Sequence, residues 1–248
     1  MAFPEKGSHI PLAYTKHARH RVNIGIRWDP VEDIPLVPKE NPFAIEPPPP
    51  SDIEHTRKLS SEDIREEKSE EEKTEEEELA EIYGYQIDAS VGHIAQTFDV
   101  DLVCLVFDAQ GNFMDAVSPD PTEVIDQSGK IYHTGDEQHG ISEGDDEVIS
   151  VELRDLPPYA HCLVFLATVQ SGHDFSQVIK PEARIEDAMS HKDLALIDLG
   201  GKNAKGQTAI IICSLYRGAE DWMLHNISEF RVDQNIKDWT QEVRPFLN

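Results

Sequence analysis

His161-Cys-Leu-Val-Phe-Leu-Ala-Thr-Val169 and Thr208-Ala-Ile-Ile-Ile-Cys-Ser-Leu-Tyr216 are two nearly unbroken apolar runs rich in β-branched residues. A strand with one wet face alternates, whereas a run of this kind suits a strand covered on both faces at the centre of a sheet. Around these two stand shorter segments of the same character at 101–107, 112–117, 130–133, 147–153, 194–199 and 221–227, separated by turn residues. Val22-Asn-Ile-Gly-Ile-Arg-Trp28 alternates and reads as another strand, and Tyr216-Arg-Gly-Ala-Glu-Asp-Trp222 reads as a hairpin turn. No long helical pattern falls between the strands, which argues against βαβ units. The expected fold is all-β, two packed sheets in a β-sandwich. After Ser228 the period changes: Val232, Ile236, Trp239 and Val243 fall at helical spacing before Pro245, which predicts a C-terminal amphipathic helix over roughly 233–244 that docks on the sandwich.

The rest of the chain is poor core material. Residues 1–21 form a polar arm with Lys16, His17, Arg19, His20 and Arg21 together. Residues 22–29 supply a first strand, and then 30–96 interrupt the sandwich. Pro30, Pro35, Pro38, Pro42 and the run Pro47–Pro50 make an extended, polyproline-like spacer. Residues 51–82 are an acidic run ending Glu75-Glu-Glu-Glu78. Low hydrophobicity and high charge fit disorder. The Ser60/Asp63 capping box and the Lys68/Glu72 and Lys73/Glu77 pairs fit a solvated helix equally well. The domain plan is therefore a basic arm 1–21, a strand 22–29, an insertion 30–96, the main sandwich 97–228 and a terminal helix 229–248.

A formal net charge of −26 over 248 residues argues against nucleic acid or an anionic membrane as a main partner, and points to cations and basic protein surfaces. No apolar run reaches the length of a membrane span, and the first residues lack the apolar core of a signal peptide. Cys104, Cys162 and Cys213 each sit inside an apolar run, without ligand-like spacing. They read as buried reduced thiols of a cytoplasmic protein.

The chemistry concentrates in His133-Thr-Gly-Asp-Glu-Gln-His-Gly-Ile-Ser-Glu-Gly-Asp-Asp-Glu147. Asp136, Glu137, Glu143, Asp145, Asp146 and Glu147 crowd one loop, and such carboxylates repel unless a cation sits among them. Ca²⁺ takes about 6–8 oxygen ligands and suits such a loop. Asp99 and Asp101 lie two apart at a strand start, on one face with Val103, Leu105 and Phe107. Beside the loop they would complete an oxygen cage. The alternative is that the acids cap backbone amides. The loop fails the EF-hand pattern: counting from Asp136, position six is Ile141 instead of Gly, and a strand follows.

Gly25-Ile-Arg-Trp-Asp29, Phe98-Asp-Val-Asp101, His133-Thr-Gly-Asp136, Gly144-Asp-Asp-Glu147, Phe175-Ser-Gln-Val178 and Leu215-Tyr-Arg217 with Trp222 recur in this order in the tellurium-resistance TerD-like family, which the chain resembles over residues 22–29 and about 97–228. The resemblance implies a TerD-like β-sandwich, calcium bound by the acidic loops, a stress-response or membrane-associated complex, and no established catalysis. It carries the metal positions onto Asp99, Asp101, Asp136, Asp145, Asp146 and Glu147, with Glu143 where the family usually has Asp. Glu137 replaces an Asn, Thr122-Glu123 falls where the family has an Asn pair, and His139-Gly-Ile-Ser142 loses one acid. These departures put a two-ion site in doubt.

His133, His139, His161 and His173 show no paired ligand spacing, and no Gly-x-Ser-x-Gly or phosphate-cradling loop occurs. The sequence therefore reads as a non-enzymatic Ca²⁺-binding module that acts in a protein complex. A second reading comes from the added segments. It is a structural adaptor with a decayed metal site, docked through its tails in a large cytoskeletal or ciliary assembly.

Overall fold

The computed structural model describes residues 4–13, 20–29, 36–38, 85–87, 98–134, 144–201, 203–233 and 235–247. It divides into two units, Met1–Glu32 with Gln96–Asn248, and Asp33–Ala95.

The larger unit is an antiparallel sandwich. Its strands are β1 (His9–Pro11), β2 (Arg21–Asp29), β5 (Val100–Phe107), β6 (Phe113–Val117), β7 (Ile131–His133), β8 (Glu147–Glu152), β9 (Cys162–Val169), β10 (Ile179–Asp187), β11 (Lys192–Asp198), β12 (Ala209–Arg217) and β13 (Trp222–Arg231). One sheet of six strands runs β1-β13-β12-β9-β5-β6, and the other, of five, runs β11-β10-β2-β8-β7. The smaller unit holds a short antiparallel ribbon, β3 (Leu36–Pro38) with β4 (Tyr85–Ile87).

The two apolar runs became β9 and β12, paired at the middle of the six-stranded sheet. Both faces of that sheet are covered. Leu102, Cys104, Val106, Leu163 and Phe165 meet Ile24, Ile26, Ile149, Ile185 and Ile197 of the other sheet. On the opposite face Leu105, Phe107, Val164, Leu166 and Ile211 meet Trp239 and Val243. Those two residues belong to or follow α1 (Ile236–Glu242), the predicted terminal helix, whose N-cap Asn235 side chain accepts the Asp238 amide. A bulge in β12 between Ile211 and Cys213 lets Ile211 face the helix while Ile210 and Cys213 face the other sheet.

Three features depart from the sequence reading. β10, which the sequence did not announce, lies between β11 and β2. Pro181 hides it. Its ladder with β2 skips between Ile179 and Glu182, which accommodates a residue with no amide to donate. Within the arm 1–21, His9–Pro11 adds a strand beside β13, so Arg21–Asp29 is not the first strand. Leu36–Pro38, inside the proline-rich spacer, forms a ladder instead of a donor-free extended segment. The rest of the basic cluster, Lys16, His17 and Arg19, and the acidic run 51–82 lie outside the described residues. Cys104, Cys162 and Cys213 are buried and free, and burial pushes the thiols of Cys104 and Cys213 up.

Candidate metal-binding loop and its footing

The loop between β7 and β8 joins neighbouring strands at one edge of the five-stranded sheet. Asp136, Glu137 and Glu143 lie outside the described residues, whereas Asp145, Asp146 and Glu147 are placed where the loop re-enters β8. Each of these three takes a donor of the fold on one carboxylate oxygen.

Asp146 and Glu147 stand in for missing strand neighbours. The β2–β8 ladder ends at Ile26↔Glu147. One step on, the Asp146 amide donates to Ile26 O (2.8 Å) and the Trp28 amide donates to Asp146 Oδ2 (2.9 Å). A buried amide at the end of a ladder is thereby satisfied by a side chain. Glu147 performs the same service across the sandwich. β6 pairs with β5 only from Cys104 onward, and the Leu102 amide donates instead to Glu147 Oε2 (2.5 Å). His133 Nε2 lies 3.2 Å from the same oxygen, and both side chains are 0% exposed. Glu147 thus ties the five-stranded sheet to the start of β5, next to Asp101.

Asp145 turns outward across β2. Arg184 of β10 pairs in register with Gly25 of β2, and its Nε and Nη2 donate to Asp145 Oδ2 at 3.0 and 2.8 Å. The carboxylate reaches the guanidinium by lying on Gly25: a Cβ there would fall 2.1 Å from Asp145 Oδ2. Asp145 Oδ1 is buried and has no hydrogen-bond donor among the described residues. Burial pushes the Asp145 carboxyl above its ordinary range, against the pull of Arg184. For Arg184, burial pulls down, but the bond and charge of Asp145, then Glu186 and Asp193, leave it raised. The carboxylate is the deeper group, 3% exposed against 27%, so desolvation falls on it.

Asp99 and Asp101 begin the face of β5 that continues into Val103, Leu105 and Phe107. That face turns toward the terminal helix and not toward the opposite sheet. Asp101 pairs with Thr168, and Asp99 O accepts the Gln170 amide (2.8 Å). The structure therefore brings Glu147 to the Asp101–Leu102 segment and keeps Asp145 with Arg184. Among the described residues, no three acids, histidines or cysteines cluster as a ligand set. As donors, the residues present suit a hard cation, being carboxylate oxygens with one, Asp145 Oδ1, desolvated and lacking a donor. Sequence reasoning missed Gly25 and Arg184 as parts of this site. The alternation Ala183-Arg184-Ile185-Glu186 was the available signal, masked by Pro181.

Taken together, these features define an antiparallel β-sandwich protein with an acidic inter-strand loop footed on its smaller sheet. The TerD domain model matches residues 73–236, about two thirds of the chain, and the chain belongs to the TerD domain family. β2 precedes that span yet sits at the centre of the five-stranded sheet. Over 126 residues the chain is 32% identical to tellurium resistance protein TerZ of Serratia marcescens, covering 51% of this chain and 63% of that protein. Over 114 residues it is 29% identical to stress response protein SCP2 of Bacillus subtilis, covering 44% and 57%. It thus spans less than two thirds of either relative's own length. The crystal structure of a homologue of telluride resistance protein TerD from Streptomyces coelicolor matches the fold with a TM-score of 0.53 at 14% identity, covering 90% of this chain and 96% of that one.

Proposed function

We propose that this chain is a non-enzymatic, calcium-binding module of the stress and tellurium-resistance class, acting in a protein complex. Asp145 carries the reading. A carboxylate only 3% exposed, its pKa raised by desolvation and with one oxygen lacking a donor, is what a nearby hard cation would stabilise. The ion would supply charge neutralisation to the loop. The residues that would hold it are Asp145, Asp146 and Glu147, with Asp136 and Glu143 of the same loop; Asp99 and Asp101, on the face of β5 turned toward the terminal helix, stand apart from it. Asp146 and Glu147 keep their amide bonds to Trp28 and Leu102 and so fix the loop's exit whatever the ion does.

The names of the relatives above support the stress context. A net charge of −26 supports a basic protein surface as the partner. No helix among the described residues is long and apolar enough to cross a membrane. The adaptor reading, with its cytoskeletal or ciliary setting, rests mainly on segments outside the described residues and draws no support from the fold.

Calorimetric titration with Ca²⁺ and melting with and without it test the proposal. Saturable heat and a rise in Tm are expected, by linkage of the ligand to the folded state. No heat and no shift at millimolar Ca²⁺ would overturn it.

A further inference from the structure

The β12–β13 ladder ends at Arg217↔Trp222, and an open cleft of about 330 Å³ lies against that hairpin end. The acidic loop enters β8 at Glu147, whereas the cleft touches Leu153 and Arg154, just past the other end of that strand. Cleft and loop share no residue. Arg217 lines the cleft and is half-buried. Its Nε donates to Ala160 O (3.0 Å) and its Nη2 to Leu156 O (3.0 Å) and Pro157 O (3.3 Å), while Cζ lies 4.8 Å from the Trp222 ring centroid. Neutral carbonyls and an aromatic ring thus fix the guanidinium and leave its charge unanswered. Among the described residues Nη1 has no acceptor and the side chain no carboxylate partner. Burial pulls the Arg217 guanidinium down, with no acid to offset it. Lys6, Arg27, Lys130, Lys180, Arg184 and Arg231 each pair with an acid instead. In a chain of 48 acidic residues against 22 lysines and arginines, the fold keeps this one cleft-lining guanidinium clear of them.

We propose that the cleft binds a small organic monocarboxylate, with its carboxylate on Arg217 Nη1 and its apolar part against Leu153 and Trp222. Arg154 and His20 also line the cleft and add positive charge on that side of the balance. A volume of about 330 Å³ stands at the small end of ligand sites. Glu220 and Asp221 line it too. A second negative charge on the ligand would meet these acids and the net charge of −26, which sets the cleft against phosphates and dicarboxylates. The same repulsion disfavours a carboxylate supplied by a second copy of the chain.

The test is titration of the ¹⁵N-labelled full chain with sodium butyrate at constant ionic strength, beside butyramide and sodium phosphate. With butyrate, the Arg217 Nε–H and Trp222 indole N–H resonances should move and saturate with a Kd of about 1–10 mM. Butyramide, which has the shape without the charge, should leave them in place, and phosphate should bind at least about tenfold more weakly. Arg217→Gln should lose about tenfold or more in butyrate affinity. Should Arg217→Gln not fold, Arg154→Gln, an exposed position outside the carbonyl clasp, should weaken butyrate by about threefold. If butyrate moves neither resonance, if butyramide moves them as far, if phosphate binds as tightly, or if the folded variant binds butyrate like the natural chain, the site is overturned.

Discussion

Replacing Gly25 by alanine strikes the junction of fold and site. The added Cβ would fall 2.1 Å from Asp145 Oδ2, 2.4 Å from its Cγ and 2.8 Å from its Cβ. β2 is laddered to β8 on one side and β10 on the other, so its backbone has little room to withdraw. The carboxylate must leave, and both bonds to Arg184 go with it. Breaking a buried pair costs about 3–5 kcal/mol. Arg184 is 27% exposed and has Glu186 and Asp193 in reach, so we scale the loss to about 2–3 kcal/mol. For a domain of this size that lowers Tm by about 5–10 °C. The assay is calorimetric melting of Gly25→Ala, Asp145→Gly and the double variant. Asp145→Gly removes the side chain that the alanine strikes, so the double variant should melt within about 2 °C of Asp145→Gly alone. Full additivity of the two substitutions would place the strain elsewhere and refute the assignment.

Three further outcomes are expected. Glu147→Ala strands the buried Leu102 amide and removes a partner of His133, and should cost about 3–4 kcal/mol by urea unfolding; Glu147→Gln, which keeps an acceptor, should cost about half as much. Trp239→Ala empties a position 3% exposed under the outer face of the six-stranded sheet; a loss of about 3 kcal/mol or more is expected, with amide exchange accelerating first in 236–242. Burial, then the neighbouring His9 stacked at 3.9 Å, holds His225 below the imidazole value of 6.5. A depressed folded value means the unfolded chain binds more protons, so stability is full above about pH 6.5 and falls as pH drops through the folded value. His225→Asn should flatten Tm between about pH 7 and 5, and an unchanged slope would assign that loss to other groups.

The strands that bury both faces were legible because their composition leaves few alternatives: apolar, β-branched runs such as His161–Val169 and Thr208–Tyr216 suit a strand covered on both faces. The terminal helix was legible from Trp239 and Val243, which reach the face that those strands leave apolar. β10 was not legible. Pro181 and five charged residues outweigh the alternation of Ala183 and Ile185, and only a bulge against β2 reconciles them. Missing β10 hid Arg184, and with it the fact that Asp145 already has a cationic partner. Asp146 and Glu147 were legible as clustered acids. Their work as acceptors for Trp28 and Leu102 was not, because it depends on where β8 and β6 stop. The alternative weighed for Asp99 and Asp101, acids that cap backbone amides, describes Asp146 and Glu147 instead.

The most direct measurement is a crystal structure of the full chain grown with CaCl₂, with anomalous differences collected at a long wavelength. The expected result is an ion peak within coordination distance, about 2.3–2.6 Å, of Asp145 Oδ1. An ordered loop 135–143 without an anomalous peak, and Asp145 still closed on Arg184, would contradict it.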